Sequence, residues 1–174
     1  MASSLKNLSQ YSETGIAVQN PNDPFFIGIA VSEWNQEITA AMAEGAIATL
    51  KKYGYGDEHI ILKSVPGSFE LALAARYLIE YTTVDAVICL GCVIQGETRH
   101  FDFVCAGVTE GIMKVNIETG VPVAFGVLTT ENQQQALDRA GGKHGNKGDE
   151  AAIAALKMLG MKTELNVDIE EDFE

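Results

Sequence analysis

Apolar residues along this chain gather in short runs separated by longer amphipathic stretches. Four runs, Phe25 to Val31, His59 to Val65, Asp85 to Gly91 and Pro122 to Thr129, are rich in Val, Ile and Phe. Runs of that length and content read as strands. Between and after them apolar residues recur every three or four positions, the period of a helix packed on one face. The first helix is predicted from Asn35, a residue suited to capping, through Q-E-I-T-A-A-M-A-E-G-A-I-A-T-L-K-K-Y to Gly54. Others are predicted over Ser68 to Tyr81, Phe101 to Thr119, Glu131 to Ala140 and Asp149 to Leu159. Strands apolar on both faces and joined through helices pair in parallel with right-handed crossovers. The predicted fold class is therefore α/β, a three-layer α/β/α sandwich around a four-stranded parallel sheet. A short strand-like piece, Gly15 to Gln19, ends at the break N-P-N-D-P and is expected to add an N-terminal edge strand.

The chain has 174 residues, enough for one domain, 1–174, with residues 1–24 as an extension and 160–174 as an acidic tail. A chain of that size buries roughly 70% of its unfolded surface, so no second core is needed. No apolar run approaches the roughly 20 residues that span a bilayer, and the N-terminus lacks the apolar centre of a signal peptide. A membrane role is not expected, and the expected location is cytoplasmic. The formal net charge of −12 argues against nucleic acid, whose phosphates need facing cations. Acids crowd the end, D-I-E-E-D-F-E over Asp168 to Glu174, whereas Arg139, Lys143, His144 and Lys147 form the densest cationic stretch. A basic cluster on an acidic chain points to a bound anion.

The segment L-G-C-V-I-Q-G-E-T-R-H, Leu90 to His100, leaves a strand, passes two glycines and presents Thr98, Arg99 and His100 just before a helix. Free N–H groups at such a helix start favour an anion. The spacing approaches that of a phosphate-binding P-loop, but Glu97 stands where the loop lysine belongs, and a carboxylate there repels a triphosphate. A nucleotide triphosphatase is excluded on that ground. Cys89-x-x-Cys92 followed by His100 has no second pair, and alternation buries Cys89 in its strand. The three cysteines, with Cys105, read as small apolar residues, with no metal and no redox cofactor expected.

In a parallel sheet the carboxyl ends of all strands share one side. Trp34, the one tryptophan, follows the first; Ser68, Phe69 and Glu70 open the helix after the second; His100 follows the third; Thr129, Thr130 and then Arg139 follow the fourth. Each alone has an ordinary structural reading, for instance Glu70 as a carboxylate favoured by the helix dipole. Together an aromatic face, a carboxylate, an imidazole and a guanidinium suit a flat polar heterocycle and a phosphate.

Four ordered segments, V-P-G-S-F-E, V-I-Q-G-E-T-R-H-F-D-F-V, G-V-P-V-A-F-G-V-L-T-T-E-N and R-A-G-G-K-H-G-N-K-G, resemble the 6,7-dimethyl-8-ribityllumazine synthases of riboflavin biosynthesis. The resemblance covers about Phe25 to Leu159 and implies a flavodoxin-like topology. It implies condensation of 5-amino-6-(D-ribitylamino)uracil with 3,4-dihydroxy-2-butanone 4-phosphate, releasing phosphate and water, without cofactor or metal. Carried over, Trp34 stacks on the pyrimidine, Ser68, Phe69 and Glu70 hold the ribityl chain and ring edge, and Cys92, Val93 and Ile94 line the pocket through their backbone. Glu97 and Thr98 sit at the phosphate with Arg139 as counter-ion, and His100 transfers protons. Phe125, Arg139 and Lys147 are lent by a neighbouring subunit. The family therefore implies a pentamer, a sixty-subunit icosahedral shell for a chain with a short G-G-K-H-G-N-K-G connection, and riboflavin synthase as a candidate partner. Trp34, Cys92 and Gln95 stand where phenylalanine, threonine and a basic residue are more usual. The rivals are a non-catalytic flavin-binding or shell-forming paralogue and a flavodoxin-like electron carrier.

Overall fold

The structure, a computed structural model, describes residues 15–20, 22 and 24–171. Strands β1 (Ile27–Ser32), β2 (Ile60–Val65), β3 (Ala86–Ile94) and β4 (Val123–Thr130) form a parallel sheet in the order β2-β1-β3-β4. Helices α1 (Gln36–Lys52) and α5 (Lys147–Glu171) cover one face; α2 (Leu71–Tyr81) and α3 (His100–Thr119) cover the other. This is the expected three-layer α/β/α sandwich. Alternation along β3 explains the two faces: Ile88, Leu90 and Cys92 join the α1/α5 core, and Val87 and Cys89 join the α2/α3 core.

Within one of these layers, α1 and α5 are drawn together by glycine. A Cβ on Gly148, in the first turn of α5, would lie 1.8 Å from the Met42 carbonyl oxygen of α1. The side chain of Asn146 fastens that crossing, donating through Nδ2 to the Ala41 carbonyl at 2.9 Å and accepting from the Gly148 N–H at 2.8 Å.

Several predicted boundaries differ from the structure. Residues 16–19 have no regular secondary structure and do not join the four-stranded sheet. Their polar groups go to helices instead: the Ala17 N–H donates to the Leu156 carbonyl at 3.1 Å, the Gln19 N–H to the Tyr53 carbonyl at 3.1 Å, and the buried Tyr55 hydroxyl to the Ala17 carbonyl at 3.0 Å. The predicted helix over Glu131 to Ala140 is a single short turn, α4 (Gln133–Leu137), with Asn132 capping it by accepting from the Gln135 N–H at 3.0 Å. A hairpin of β5 (Ala140–Gly142) and β6 (Gly145–Asn146) follows, made possible by left-handed backbone at Gly141 (φ 107) and Gly145 (φ 85). The last helix begins two residues before Asp149 and passes Leu159 to reach Glu171, so most of the expected tail is helical. Gly160 does not stop it; the missing side chain there admits the Gly15 carbonyl, 2.6 Å from where a Cβ would lie.

The α1/α5 crossing predicts a contrast between two glycines. Gly148→Ala forces backbone against backbone and is expected to cost about 1–3 kcal/mol or more. Gly96→Ala, where a Cβ meets nothing within 4 Å, is expected to stay within about 0.5 kcal/mol of the parent. Denaturant midpoints measure both; equal midpoints for the two variants would refute this account of the crossing.

Candidate active site

The chain runs from β1 to β2 on one side and returns to β3 on the other, so the crevice above the carboxyl ends of β1 and β3 is left open. A cleft of about 750 Å³ lies there, lined by Trp34 and Asn35 from the β1 end, Gly67 to Glu70 from the β2 end, and Cys92 to Ile94, His100, Phe103 and Val104 from the β3 end and α3.

The β1 end is tied to its neighbours. The Glu33 N–H donates to the Val65 carbonyl at 2.8 Å and the Trp34 N–H to the Pro66 carbonyl at 3.3 Å. Asn35 takes left-handed backbone, φ 59 and ψ 44, and does not cap α1 with its side chain as expected. Its Nδ2 instead donates to the Cys92 carbonyl at 2.9 Å. The Trp34 indole lies against Gly67, where a Cβ would meet Cδ1 at 3.3 Å, and remains 72% exposed. Phe69 and Phe103 are also exposed, so three aromatic side chains frame the opening.

At the β2 end Pro66 and Gly67 break the strand, and Ser68–Glu70 form one 3₁₀ turn. The Glu70 carboxylate accepts from the Gly67 N–H at 3.0 Å through one oxygen, which fixes its direction. Ser68 is buried, and its hydroxyl has no hydrogen-bond partner among the described residues. That hydroxyl fits only because Gly91 faces it, with 2.5 Å between Oγ and the place a Cβ would occupy. Gly91, predicted as the last strand residue before the turn, is paired with Val127 inside β3, which runs on to Ile94.

β3 continues to Ile94, and residues 95–99 lead into α3, whose first residue is His100. The His100 N–H donates to Thr98 Oγ1 at 3.4 Å, and Arg99 Nε lies 3.3 Å from an Asp102 carboxylate oxygen. Glu97 and Thr98 are exposed beside the positive end of α3 but do not line the cleft.

Phe125, Arg139 and Lys147 are likewise not brought to this cleft within the chain. Phe125 lies on β4 opposite Cys89; Arg139 Nη1 donates to the Gln135 carbonyl at 2.9 Å; Lys147 Nζ is 2.8 Å from a Glu150 carboxylate oxygen. Lys143 is paired with Asp138 at 2.8 Å, and the Asp138 carboxyl is held below its usual range by hydrogen bonds from Lys143 and Gln134. Within the chain these cations therefore make local contacts, and Lys143 ties the hairpin turn to the end of α4.

The matching family is described as 6,7-dimethyl-8-ribityllumazine synthase and aligns with residues 25–163. The chain belongs to this family. A 6,7-dimethyl-8-ribityllumazine synthase of Cytophaga hutchinsonii is 59% identical over 159 residues, covering 91% of this chain and 98% of that protein. One from Phocaeicola vulgatus is 52% identical over 165 residues, covering 95% and 96%. One from Porphyromonas gingivalis is 52% identical over 162 residues, covering 93% and 99%. The lumazine synthase match includes the sheet, the cleft and the hairpin.

Of the residues singled out in the sequence, Trp34, Ser68, Phe69, Glu70, Cys92, Val93, Ile94 and His100 converge on one cleft. Asn35, Gly67, Phe103 and Val104 also line it and were not anticipated. Phe103 and Val104 stand three and four positions after His100, one helix face, so the spacing itself carried that signal.

Cys89 and Cys92 point to opposite faces of β3 and cannot chelate one ion, and Cys89 Sγ donates to the Leu71 carbonyl at 3.7 Å. Burial pushes the Cys92 thiol up to about 11 from the usual 9.0, and the Cys89 thiol up to about 12. A raised thiol pKa adds nothing against stability below about pH 9 and costs stability as pH climbs beyond it toward the folded value. At pH 8 the folded protein is expected to react with iodoacetamide at Cys92 about a hundredfold more slowly than a free cysteine. Peptide mass spectrometry before and after unfolding checks this; equal rates in both states would refute it.

Proposed function

We propose that this chain is a transferase that condenses 5-amino-6-(D-ribitylamino)uracil with 3,4-dihydroxy-2-butanone 4-phosphate to 6,7-dimethyl-8-ribityllumazine, releasing phosphate and water. The observation that carries the proposal is the single cleft in which Trp34, Glu70 and His100 meet, in a chain of the lumazine synthase family. The exposed indole offers a flat apolar face for the pyrimidine, and stacking of that kind is worth roughly 1–3 kcal/mol per base. The Ser68 hydroxyl and the Glu70 carboxylate face the ribityl hydroxyls, and the strand end Cys92 to Ile94 supplies backbone groups to the ring edge.

In this reading the 5-amino group attacks the ketone, water leaves to give a Schiff base, phosphate is eliminated, and the ribitylamino nitrogen attacks the resulting carbonyl and closes the second ring with loss of a second water. The protein needs no nucleophile of its own and no cofactor or metal. His100, at the mouth and on the first turn of α3, accepts and donates the protons. Much of the rate comes from holding two substrates together. The phosphate sits by Glu97 and Thr98 at the start of α3, where the helix dipole favours an anion.

Phe125, Arg139 and Lys147 complete this site from a neighbouring copy, Arg139 through a planar fork matched to phosphate. The working form is then a pentamer, assembling into an icosahedral shell in the cytoplasm, with riboflavin synthase as the partner that consumes the product. Among the described residues no helix is long and apolar enough to cross a membrane.

The deciding experiment is a steady-state assay with both substrates, following lumazine and phosphate together. Equal amounts of each, formed well above the uncatalysed rate, are expected; a folded oligomer without acceleration would favour the non-catalytic paralogue. Arg139→Ala is expected to raise KM for the phosphate substrate by about tenfold or more with little change for the pyrimidine. His100→Ala is expected to lower kcat by about a hundredfold with near-normal binding. Equal weakening of both substrates by the first, or an unchanged rate in the second, would remove that residue from its role.

A further inference from the structure

We propose that Asn35 is a positioning residue that sets the Trp34 indole over the cleft, acting through its left-handed backbone and its hydrogen bond to the end of β3. The substrate effect of this inference rests on the function proposed above; its geometric part does not.

Asn35 is the one non-glycine residue with positive φ among the described residues. Bulky residues avoid that conformation, and asparagine tolerates it. Here the conformation does two jobs. It turns the backbone so that the Asn35 carbonyl accepts from the Ile38 and Thr39 N–H groups at 2.9 and 3.1 Å, starting α1. It also sends Nδ2 across to the Cys92 carbonyl, 57 residues away in sequence. The preceding residue is then held from both sides. Its N–H is bonded to the Pro66 carbonyl at the β2 end, and its own carbonyl lies 3.5 Å from the Ser32 hydroxyl. With the backbone pinned between the ends of β2 and β3, the indole has Gly67 beneath it and the cleft beside it.

The choice of side chain follows. Aspartate would keep the turn but aim a carboxylate at the Cys92 carbonyl, acceptor against acceptor. Glycine would relieve the backbone but lose the tie. A residue needed only for folding would tolerate glycine; one that places the indole would not.

Trp34 is the sole tryptophan, so fluorescence excited beyond the tyrosine absorption band reports on this side chain alone. The experiment uses full-length Asn35→Gly and Asn35→Asp, each compared with the parent by circular dichroism, acrylamide quenching and fluorescence anisotropy without ligand. Both variants are expected to keep the parent circular dichroism, to quench only slightly faster because the indole is already 72% exposed, and to lose anisotropy as it gains freedom, a loss of order one hydrogen bond. In the assay KM for the pyrimidine is expected to rise about fivefold, with kcat within about threefold and KM for the phosphate substrate unchanged. Parent-like anisotropy and pyrimidine KM in Asn35→Gly would overturn the proposal. If one variant fails to fold, the other decides. Should the parent not catalyse the condensation while both variants still free the indole, the positioning role stands and the functional reading falls; should the parent catalyse and the indole remain fixed, the reverse holds.

Discussion

A parallel sheet cannot return its chain by a tight turn, and each crossover must spend a helix on one face or the other. Here the crossover from β1 to β2 goes to one side and the path back to β3 goes to the other, so between the ends of β1 and β3 no connection fills the space. The site depends on that vacancy. Its three walls are the three chain exits that surround it, and each exit is stopped by a different device: left-handed Asn35, the Pro66-Gly67 break, and the start of α3 at His100. Because β1 and β3 beneath are buried on both faces, these exits stand on a floor that hardly moves.

Close approach is the second constraint. Gly91 lets Ser68 tuck against β3, Gly67 lets the indole lie flat, and Gly148 brings α5 onto α1. These glycines do not share a backbone conformation; what they share is that a neighbour occupies the space of a side chain. The apolar framework supplies the energy, at about 1.5–3 kcal/mol for each large buried side chain, and the glycines decide which surfaces are allowed to meet.

The strands and the layer order were legible in the sequence because buried parallel strands read as continuous apolar runs, a signal few other structures produce. The cleft was largely legible because strand ends in such a sheet share a side. Boundaries failed where a glycine had two meanings. Gly91 reads as the end of a strand but lies inside it, facing a hydroxyl; Gly160 reads as a stop but is a seat for a crossing chain. The stretch after Thr130 failed differently: Gln133 to Ala140 has good helical propensity, yet the hairpin that follows claims Ala140 and shortens the helix to one turn. Asn35 was seen as a cap because asparagine usually is one, and only the fold reveals the distant carbonyl it prefers. Arg139, Lys147 and Phe125 came from resemblance alone, and a single copy of the chain has no way to display what they do in an assembly.

Residues 15–19 rest on the last helix, through Ala17 and Leu156 and through Gly15 at Gly160. Synthesis makes the chain from the other direction. When the sheet's first three strands and α3 have emerged, the cleft walls already exist and the opening residues have Tyr53 and Tyr55 to lie on, but the last helix, the other half of their seat, has not yet been made. The earliest described part of the polypeptide therefore stays half-docked, its second support delayed by the time a ribosome takes to travel some hundred and forty codons, about 7–28 seconds at ordinary bacterial and eukaryotic rates.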